Sequence, residues 1–205
     1  MAEPLKVALA GLGTVGAGTL DLLTRSAARI ADRAGPTIEV VAVSARDRAR
    51  PRGVALDGLR WADDPLALAA EPGIDVVCEL IGGADGVALE LCRAALRAGR
   101  HVVTANKALL AHHGTALAGL AESQGLSLAF EAAVAGGIPI VKALKEGLAA
   151  NRIVRVQGIL NGTSNYILTA MRESGRDFAE VLAEAQRLGY AEADPAFDVD
   201  GIDAA

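Results

Sequence analysis

Residues 6–16 read KVALAGLGTVG, and this stretch gives the clearest indication of the fold. Residues 6–10 form a short apolar run typical of a buried parallel strand. Three glycines then follow in the G-x-G-x-x-G spacing that leads from a strand into a helix and lets the backbone approach a pyrophosphate. The N-terminus of that helix, predicted over residues 14–34, offers free N–H groups to phosphates. The motif assigns five residues to a dinucleotide: Gly11, Gly13, Thr14, Val15 and Gly16.

The sequence beyond this turn alternates between strand and helix patterns. Further strands are predicted at residues 38–44, 74–81, 101–104 and 126–134, with helices at 87–98 and 109–123. This alternation indicates right-handed βαβ crossovers, and therefore an α/β fold with a Rossmann-type, doubly wound parallel sheet. Near residue 135 the pattern changes to a helix at 140–149, a strand at 153–160 and helices at 164–173 and 178–188. We therefore predict a nucleotide-binding domain at 1–133 and the beginning of a second domain at 134–205.

The composition argues against several classes of protein. The net charge is −5 and no long run of Lys or Arg occurs, which disfavours a nucleic-acid or an anionic-membrane partner. No apolar run approaches the ~18–20 residues that a membrane helix needs. Cys78 and Cys92 lack CxxC spacing, so they are predicted to be small buried hydrophobic residues in a reducing cytoplasm. We therefore expect a cytoplasmic protein.

The end of the second predicted strand bears on the choice between NAD and NADP. An NAD site usually places Asp or Glu there, whereas this chain has Ser44 and Arg46, which suit a 2′-phosphate. Asp47 keeps the alternative open, because it would either neutralise Arg46 or bind a ribose. A solvated basic loop is another explanation for the arginines that follow. We expect NADP(H), with NAD(H) as the alternative.

Two charged residues stand out later in the first domain. Lys107 follows the strand at 101–104, at the edge where open α/β sheets bind ligands. There it would hold a substrate oxygen near the nicotinamide, or simply be a surface residue at a helix start. Thr104, in the same turn, is assigned to the cofactor. Glu131 lies among apolar residues and needs a partner, either a distant Lys or Arg or a hard cation held with the backbone carbonyls that follow.

Five segments in order give the chain a family resemblance. They are GLGTVG (11–16), TANKALLA (104–111), FEAAVAGGIPIV (130–141), LNGTSNYIL (160–168) and GYAEADPAFDVDGIDAA (189–205). From residue 7 to its end the chain resembles homoserine dehydrogenases, and the last two segments are the most specific. The resemblance implies reduction of L-aspartate 4-semialdehyde to L-homoserine with NADPH or NADH, in threonine, methionine and isoleucine biosynthesis. It also implies an α+β second domain that binds the substrate and forms a homodimer.

The resemblance assigns roles to individual residues. Glu192 and Asp198 correspond to residues that hold the amino-acid substrate, and Asp203 to an aspartate that works beside a catalytic lysine. Lys107 corresponds to a second active-site lysine, near both substrate and nicotinamide, and residues 161–163 to a segment near the cofactor. Glu131 corresponds to a ligand of a sodium or potassium ion. The carbonyl groups that would complete this cation site belong to Val134, Gly136 and Ile138.

One departure from the family pattern concerns the catalytic lysine. In the family this lysine lies four residues after the aspartate that corresponds to Asp203, one helical turn along. The matching position would be 207, whereas the chain ends at Ala205. We therefore expect little or no turnover from this chain alone. Two rival interpretations stay open: another small NADP-dependent reductase or semialdehyde dehydrogenase, and a nucleotide-binding module without catalysis. An acylating dehydrogenase would need a nucleophilic cysteine, and neither Cys78 in a predicted strand nor Cys92 in a predicted helix suits that role.

Overall fold

The computed structural model of the chain describes residues 3–191, 195–201 and 204. Two compact units are present, Met1–Ala149 and Ala150–Ala205. The boundary predicted after residue 133 separates a nucleotide-binding part from a substrate-binding part, which is a division by function and not by compactness. It stays a prediction. Of the helices in the described part of the chain, none has both the length and the apolar character that crossing a membrane requires.

A parallel sheet of six strands forms the centre of the first unit, in the order β3-β2-β1-β4-β5-β6. The strands are β1 (Leu5–Ala10), β2 (Ile38–Ser44), β3 (Arg60–Trp61), β4 (Val76–Glu79), β5 (His101–Thr104) and β6 (Leu128–Ala129). From β1 the chain builds one half of the sheet through β2 and β3, and then the other half through β4, β5 and β6. The neighbouring strands β1 and β4 therefore form the switch point, where ligands bind outside the carboxyl ends of such sheets. The predicted Rossmann-type fold is confirmed.

The helices of the first unit lie for the most part against this sheet. They are α1 (Thr14–Arg25), α2 (Ala27–Ala34), α3 (Ala67–Ala70), α4 (Val87–Arg97), α5 (Lys107–Ser123), α6 (Glu131–Val134) and α7 (Ile140–Lys142), which a π-helical turn, Ala143–Gly147, continues. Successive residues of β1 enter different cores, as strand alternation requires. Leu9 belongs to one buried cluster with Leu20 of α1, and Ala8 to another with Leu91 of α4. The sheet is therefore buried on both faces.

Three helices form the described part of the second unit: α8 (Gly162–Ser174), α9 (Phe178–Arg187) and α10 (Ala196–Val199). The carboxylate of Asp177 begins α9 by accepting the N–H of Glu180 at 2.9 Å, and Gly175, at φ 70°, ends α8. Ile167 of α8 and Val181 of α9 are the largest side chains of the buried cluster that joins these two helices. The two helices predicted at 164–173 and 178–188 are confirmed, with ends one or two residues away.

Two predicted elements of the first unit differ from the structure. The helix predicted at 14–34 is two helices, because Ser26 leaves the helical region at φ −107° and ψ 10°. The strand predicted at 126–134 ends at Ala129, and Glu131–Val134 forms a helical turn instead. Residues 131–133, Glu-Ala-Ala, favour a helix. In addition, the Glu131 carboxylate accepts backbone hydrogen bonds from Val141 and Lys142, which holds the turn.

The strand predicted at 153–160 is also wrong. These residues adopt no regular structure, and Val154 and Ile159 are 87% and 77% exposed. A strand needs a neighbour for its N–H and C=O groups. The second unit has no other strand among its described residues, so the apolar alternation in this segment has nothing to pair with.

Candidate functional site

The glycine-rich turn connects β1 to α1 at the switch point. Gly11 has φ +100°, and a Cβ there would lie 2.4 Å from the carbonyl oxygen of Leu80, which follows β4. A Cβ on Gly16 would lie 1.9 Å from the oxygen of Gly11. A Cβ on Gly13 would meet no atom within 4 Å. Two of the glycines are therefore required by packing, whereas the third leaves open space at the N-terminus of α1, as a bound phosphate would need.

The first turn of α1 faces this open space. Thr14 and Val15 are exposed, and Gly13 precedes them as the N-cap residue. The first N–H groups of a helix have no partner within the helix and carry a partial positive charge. The predicted phosphate-binding residues therefore stand together in a geometry that can hold an anion.

The loop after β2 is attached to the glycine-rich turn by Arg52. Its Nε donates to the carbonyl oxygen of Leu12 at 3.2 Å, and its Nη1 to that of Arg50 at 2.7 Å. Its Nη2 donates to the carbonyl oxygen of Asp47. The guanidinium therefore closes the loop on itself and docks it beside the proposed phosphate site. Arg52 is a residue that sequence reasoning missed, because its most distant partner lies 40 positions away.

The same loop carries the residues expected to select the cofactor. Ser44 is buried and its carbonyl oxygen accepts the N–H of Gly11 at 2.8 Å, whereas Arg46 is exposed. The Asp47 carboxylate accepts the N–H of Ala49 at 2.9 Å, which places it in a local turn. Arg46 therefore extends from a loop whose backbone is fixed on both sides.

A tryptophan of β3 packs against this loop. The guanidinium carbons of Arg48 and Arg52 each lie 5.5 Å from the centroid of the Trp61 ring. Such contacts between a cation and an aromatic face contribute about 0.5–1 kcal/mol at partly exposed sites. The strand β3, which the sequence analysis did not predict, thus supports the loop after β2.

The ends of β4 and β5 share a buried polar network. Glu79 is the last residue of β4 and is fully buried. Its carboxylate accepts the hydroxyl of Thr104 at 2.6 Å and the N–H groups of Ile81 and Gly82 at 2.8 and 3.1 Å. The Thr104 oxygen in turn accepts the N–H of Asn106 at 3.0 Å. Glu79 was not predicted as a functional residue, although a charged residue inside the apolar run IDVVCELI was a visible signal.

Lys107 begins α5 directly after this network. Its side chain is exposed at the carboxyl edge of the sheet, the edge that also carries the glycine-rich turn. Asn106 is the N-cap residue, and its Oδ1 accepts the N–H of Leu109 at 3.1 Å. The cap fixes the first turn of α5, and with it the backbone that carries Lys107.

Glu131 has a partner that the sequence analysis did not consider. Its two carboxylate oxygens accept the N–H groups of Val141 and Lys142 at 2.8 and 2.9 Å, at the start of α7. The partner is therefore a pair of backbone amides. Of the three carbonyl groups assigned to a cation, that of Ile138 accepts the N–H of Ile140 at 2.8 Å. No cluster of three or more His, Cys, Asp and Glu side chains suited to a metal occurs among the described residues.

The second unit joins two of its motifs around Asp198. The Nδ2 of Asn161 donates to the Asp198 carboxylate at 2.7 Å, and the hydroxyl of Ser164 to its backbone oxygen at 3.1 Å. Asn161 also caps α8, because its Oδ1 accepts the N–H of Ser164 at 2.7 Å. The orientation of Asp198 is therefore tied to the start of α8. The other two predicted acids, Glu192 and Asp203, lie outside the described residues.

The two cysteines are buried thiols whose pKa values are raised. Burial raises the pKa of the Cys78 thiol from its ordinary 9.0 to about 12. Burial, together with the negative charge of Glu79, raises the pKa of Cys92 to about 12 as well. The prediction that both are buried hydrophobic residues is confirmed. A nucleophilic cysteine needs a low pKa, so neither suits acyl transfer.

Two family models match the chain, one after the other. The model described as "Homoserine dehydrogenase, NAD binding domain" matches residues 11–131, and the one described as "Homoserine dehydrogenase" matches residues 139–205. The homoserine dehydrogenase of Pseudomonas aeruginosa is 56% identical over 204 residues, which are 99% of this chain and 46% of that protein. The one of Neisseria gonorrhoeae is 50% identical over 202 residues, or 98% of this chain and 46% of that protein.

Solved structures show the same similarity. A crystal structure of a homoserine dehydrogenase from Thiobacillus denitrificans matches with a TM-score of 0.85 and 53% identity, over 98% of this chain and 46% of that one. A hyperthermophilic archaeal homoserine dehydrogenase in complex with NADPH matches with a TM-score of 0.79 and 26% identity, over 99% of this chain and 66% of that one. The chain thus spans less than half the length of these bacterial relatives.

Proposed function

The chain belongs to the homoserine dehydrogenase family, and on this premise we propose that the protein interconverts L-homoserine and L-aspartate 4-semialdehyde with NADP(H) or NAD(H). The observation that carries the proposal is the carboxyl edge of the sheet, where the open glycine-rich turn and Lys107 both stand beside the switch point. Residues 1–133 would bind the dinucleotide, and residues from 134 onward would bind the substrate and form the homodimer. Two buried, reduced cysteines suit a cytoplasmic enzyme.

The first turn of α1 binds the pyrophosphate of the cofactor in this proposal. Gly13 leaves room for it, and the N–H groups of the turn offer hydrogen bonds. NADP(H) is preferred to NAD(H) because Arg46 is exposed at the end of β2, where its guanidinium can bind a 2′-phosphate with two hydrogen bonds. Arg52 keeps this loop against the glycine-rich turn. The similarity to an archaeal homoserine dehydrogenase in complex with NADPH supports this choice.

The nicotinamide, when bound, supplies the hydride to the aldehyde carbon or accepts it from homoserine. In the reducing direction the aldehyde oxygen gains negative charge. The ammonium of Lys107 stabilises that charge from the start of α5. Thr104 is buried at the end of β5, and its hydroxyl donates a hydrogen bond to the carboxylate of Glu79. Its contribution to the cofactor is therefore to shape the floor of the site.

The acids of the second unit hold the substrate and assist proton transfer. Asp198, oriented by Asn161, and Glu192 bind the ammonium end of the amino acid. Asp203 orients the catalytic lysine that the family pattern places four residues after it. In this proposal that lysine, and not Lys107, donates the proton. Positioned acid–base groups of this kind contribute about 10²- to 10⁴-fold in rate.

A monovalent cation completes the proposal. Glu131 accepts one backbone N–H on each carboxylate oxygen, so each oxygen keeps a lone pair for a further ligand. The carbonyl groups assigned with it belong to Val134, Gly136 and Ile138. Oxygen donors suit hard cations such as sodium or potassium. The residues present therefore fit the ion, which would stabilise the turn between α6 and α7.

Two measurements test the proposed function. Calorimetric titration of the 205-residue chain should show NADPH binding, and the protein from the complete reading frame should reduce NADP⁺ in the presence of L-homoserine. Binding without homoserine oxidation in the complete protein would favour a nucleotide-binding module. Oxidation of a different small alcohol in preference to homoserine would favour another reductase.

A further inference from the structure

Glu79 is a buried carboxylate that the proposed reaction does not use. It pairs in register with Ala10 of β1 on one side and with Thr104 of β5 on the other, and it is 0% exposed. Burying a carboxylate without partners would cost several kcal/mol. The three donors that satisfy Glu79 therefore identify what the residue holds.

Two of the donors belong to the loop that follows β4, and the third is the last residue of β5. The N–H groups of Ile81 and Gly82 bind one carboxylate oxygen at 2.8 and 3.1 Å, and the hydroxyl of Thr104 binds the other at 2.6 Å. The first two fix the turn that leaves β4. The third connects that turn to β5. One side chain thus joins the loop after β4 to the end of β5 at the carboxyl edge of the sheet.

The connection continues into the helix that carries Lys107. Thr104 accepts the N–H of Asn106 at 3.0 Å, and the Nδ2 of Asn106 donates to the carbonyl oxygen of Gly83 at 2.7 Å. The same Asn106 caps α5 through Leu109. The turn after β4 and the first turn of α5 are therefore held at a fixed separation by hydrogen bonds that begin at Glu79.

The turn after β4 also abuts the glycine-rich turn. A Cβ on Gly11 would lie 2.4 Å from the oxygen and 2.6 Å from the carbonyl carbon of Leu80, so the two backbones are in close contact. Leu80 stands directly between Glu79 and its backbone donor Ile81. Movement of this turn would therefore be transmitted to the crevice between β1 and β4.

We infer that Glu79 is a positioning residue for the nicotinamide half of the cofactor. It acts through Thr104 and the backbone of the β4 loop, and it sets the distance between that loop and Lys107. The adenosine half lies against the loop after β2, which Arg52 holds by separate contacts. The inference rests on the proposed cofactor site, and it predicts that loss of Glu79 affects the two halves of the cofactor unequally.

The test compares NADPH with adenosine 2′,5′-bisphosphate, which lacks the nicotinamide. In Glu79→Gln the amide oxygen can still accept the N–H groups of Ile81 and Gly82. The charge-assisted bond from the Thr104 hydroxyl is replaced by a neutral one of opposite direction, in which the amide nitrogen donates to the Thr104 oxygen. Calorimetric titration of the chain should show NADPH bound about tenfold more weakly, the effect expected when a hydrogen bond to a charged group becomes a neutral one. Binding of the bisphosphate should change by less than about twofold. An equal loss of affinity for NADPH and for the bisphosphate would overturn the inference.

A second variant acts on the other end of the same hydrogen bond. Thr104→Val keeps the shape of the side chain and removes the hydroxyl, so it should give the same selective loss. In the double variant the two losses should not multiply, because both changes break one link. Should Glu79→Gln fail to give the wild-type far-UV circular dichroism spectrum, Thr104→Val decides: selective loss supports the inference and uniform loss overturns it.

Two controls separate this inference from the proposed function. Glu90→Gln changes an exposed glutamate of α4 that pairs with Arg93 at 3.3 Å, and it should leave both ligands unaffected. Wild-type chain that binds neither ligand would overturn the proposed cofactor site itself. If the wild-type chain binds both ligands, and the ratio of NADPH affinity to bisphosphate affinity is unchanged in Glu79→Gln and Thr104→Val, only the role of Glu79 is overturned.

Discussion

Two glycines of one turn should respond in opposite ways to the same substitution. Gly13→Ala adds a methyl group where no atom lies within 4 Å, at φ −74° and ψ −162°, which alanine adopts without strain. Gly16→Ala adds a methyl group 1.9 Å from the oxygen and 2.9 Å from the carbonyl carbon of Gly11. Cβ contacts below 3.0 Å are essentially never seen, so α1 and the turn would have to separate by about 1 Å.

The magnitudes follow from these contacts. Overpacking costs about 1–3 kcal/mol, and for Gly16→Ala we expect about 3 kcal/mol or more, since the obstructing atoms are backbone. That lowers the melting temperature by roughly 6–12 °C in a chain of this size. Gly13→Ala replaces a tolerated N-cap residue by a poor one, at about 0.5–1 kcal/mol or roughly 1–4 °C. Its methyl group would instead occupy the space for the pyrophosphate and weaken NADPH binding by about tenfold or more.

Thermal unfolding followed by circular dichroism, with and without NADPH, measures both effects. The expected result is a stable Gly13→Ala chain that NADPH no longer protects, and a Gly16→Ala chain that melts early or does not fold. The Gly18→Ala variant is the matched control, because Gly18 also has open space around its Cβ but lies one turn into α1. Wild-type NADPH affinity in Gly13→Ala would refute the assignment of the turn to phosphate binding.

Further predictions concern the loop after β2, the cation and the thiols. Arg46→Ala should reduce the ratio of NADPH to NADH affinity in calorimetric titrations; an unchanged ratio would remove Arg46 from cofactor selection. Sodium or potassium should raise the melting temperature over a bulky organic cation at matched ionic strength, and Glu131→Gln should abolish the difference; equal melting temperatures in the wild type would contradict the cation site. Burial favours the neutral thiols of Cys78 and Cys92, whose pKa rises from 9.0 in the unfolded chain to about 12 in the fold. The stability that the two thiols contribute is therefore fully present below pH ~9 and is lost as the pH rises toward about 12. Urea unfolding between pH ~8.5 and ~10.5 should therefore show stability falling more steeply in the wild type than in the Cys78→Ala/Cys92→Ala variant, and parallel profiles would contradict this.

The parts of the fold that depend on local pattern could be predicted from the sequence. The strands at Ile38–Ser44 and His101–Thr104 have the predicted bounds, because a run of apolar and β-branched residues ended by polar or small ones is a local signal. The glycine-rich turn was equally clear, since its spacing is a local signal, although the contact that requires Gly11 is with Leu80 after β4. The doubly wound parallel sheet followed from the alternation of strand and helix patterns.

The remaining features depend on partners far away in the sequence. Glu131 and Glu79 are both carboxylates within apolar segments, but only Glu131 was predicted to need a partner. The true partner of Glu131 is a helix N-terminus 10 residues later, and that of Glu79 is a threonine 25 residues later. The partner of Glu79 cannot be identified before β4 and β5 are paired. The strand predicted at 153–160 is absent for the complementary reason: the apolar pattern is present, but the part of this unit that the structure describes has no strand for it to pair with.

Trp61 gives this chain an intrinsic optical probe. It is the only tryptophan of the sequence, so all indole emission arises from one place, beside the guanidinium groups of Arg48 and Arg52. Reduced nicotinamide absorbs light in the range where indole emits, and a bound cofactor would therefore receive excitation energy from this ring. Quenching of the indole without the sensitised nicotinamide signal would report movement of the loop alone. The order in which the loop and the cofactor settle can thus be followed in real time, without any dye attached to the protein.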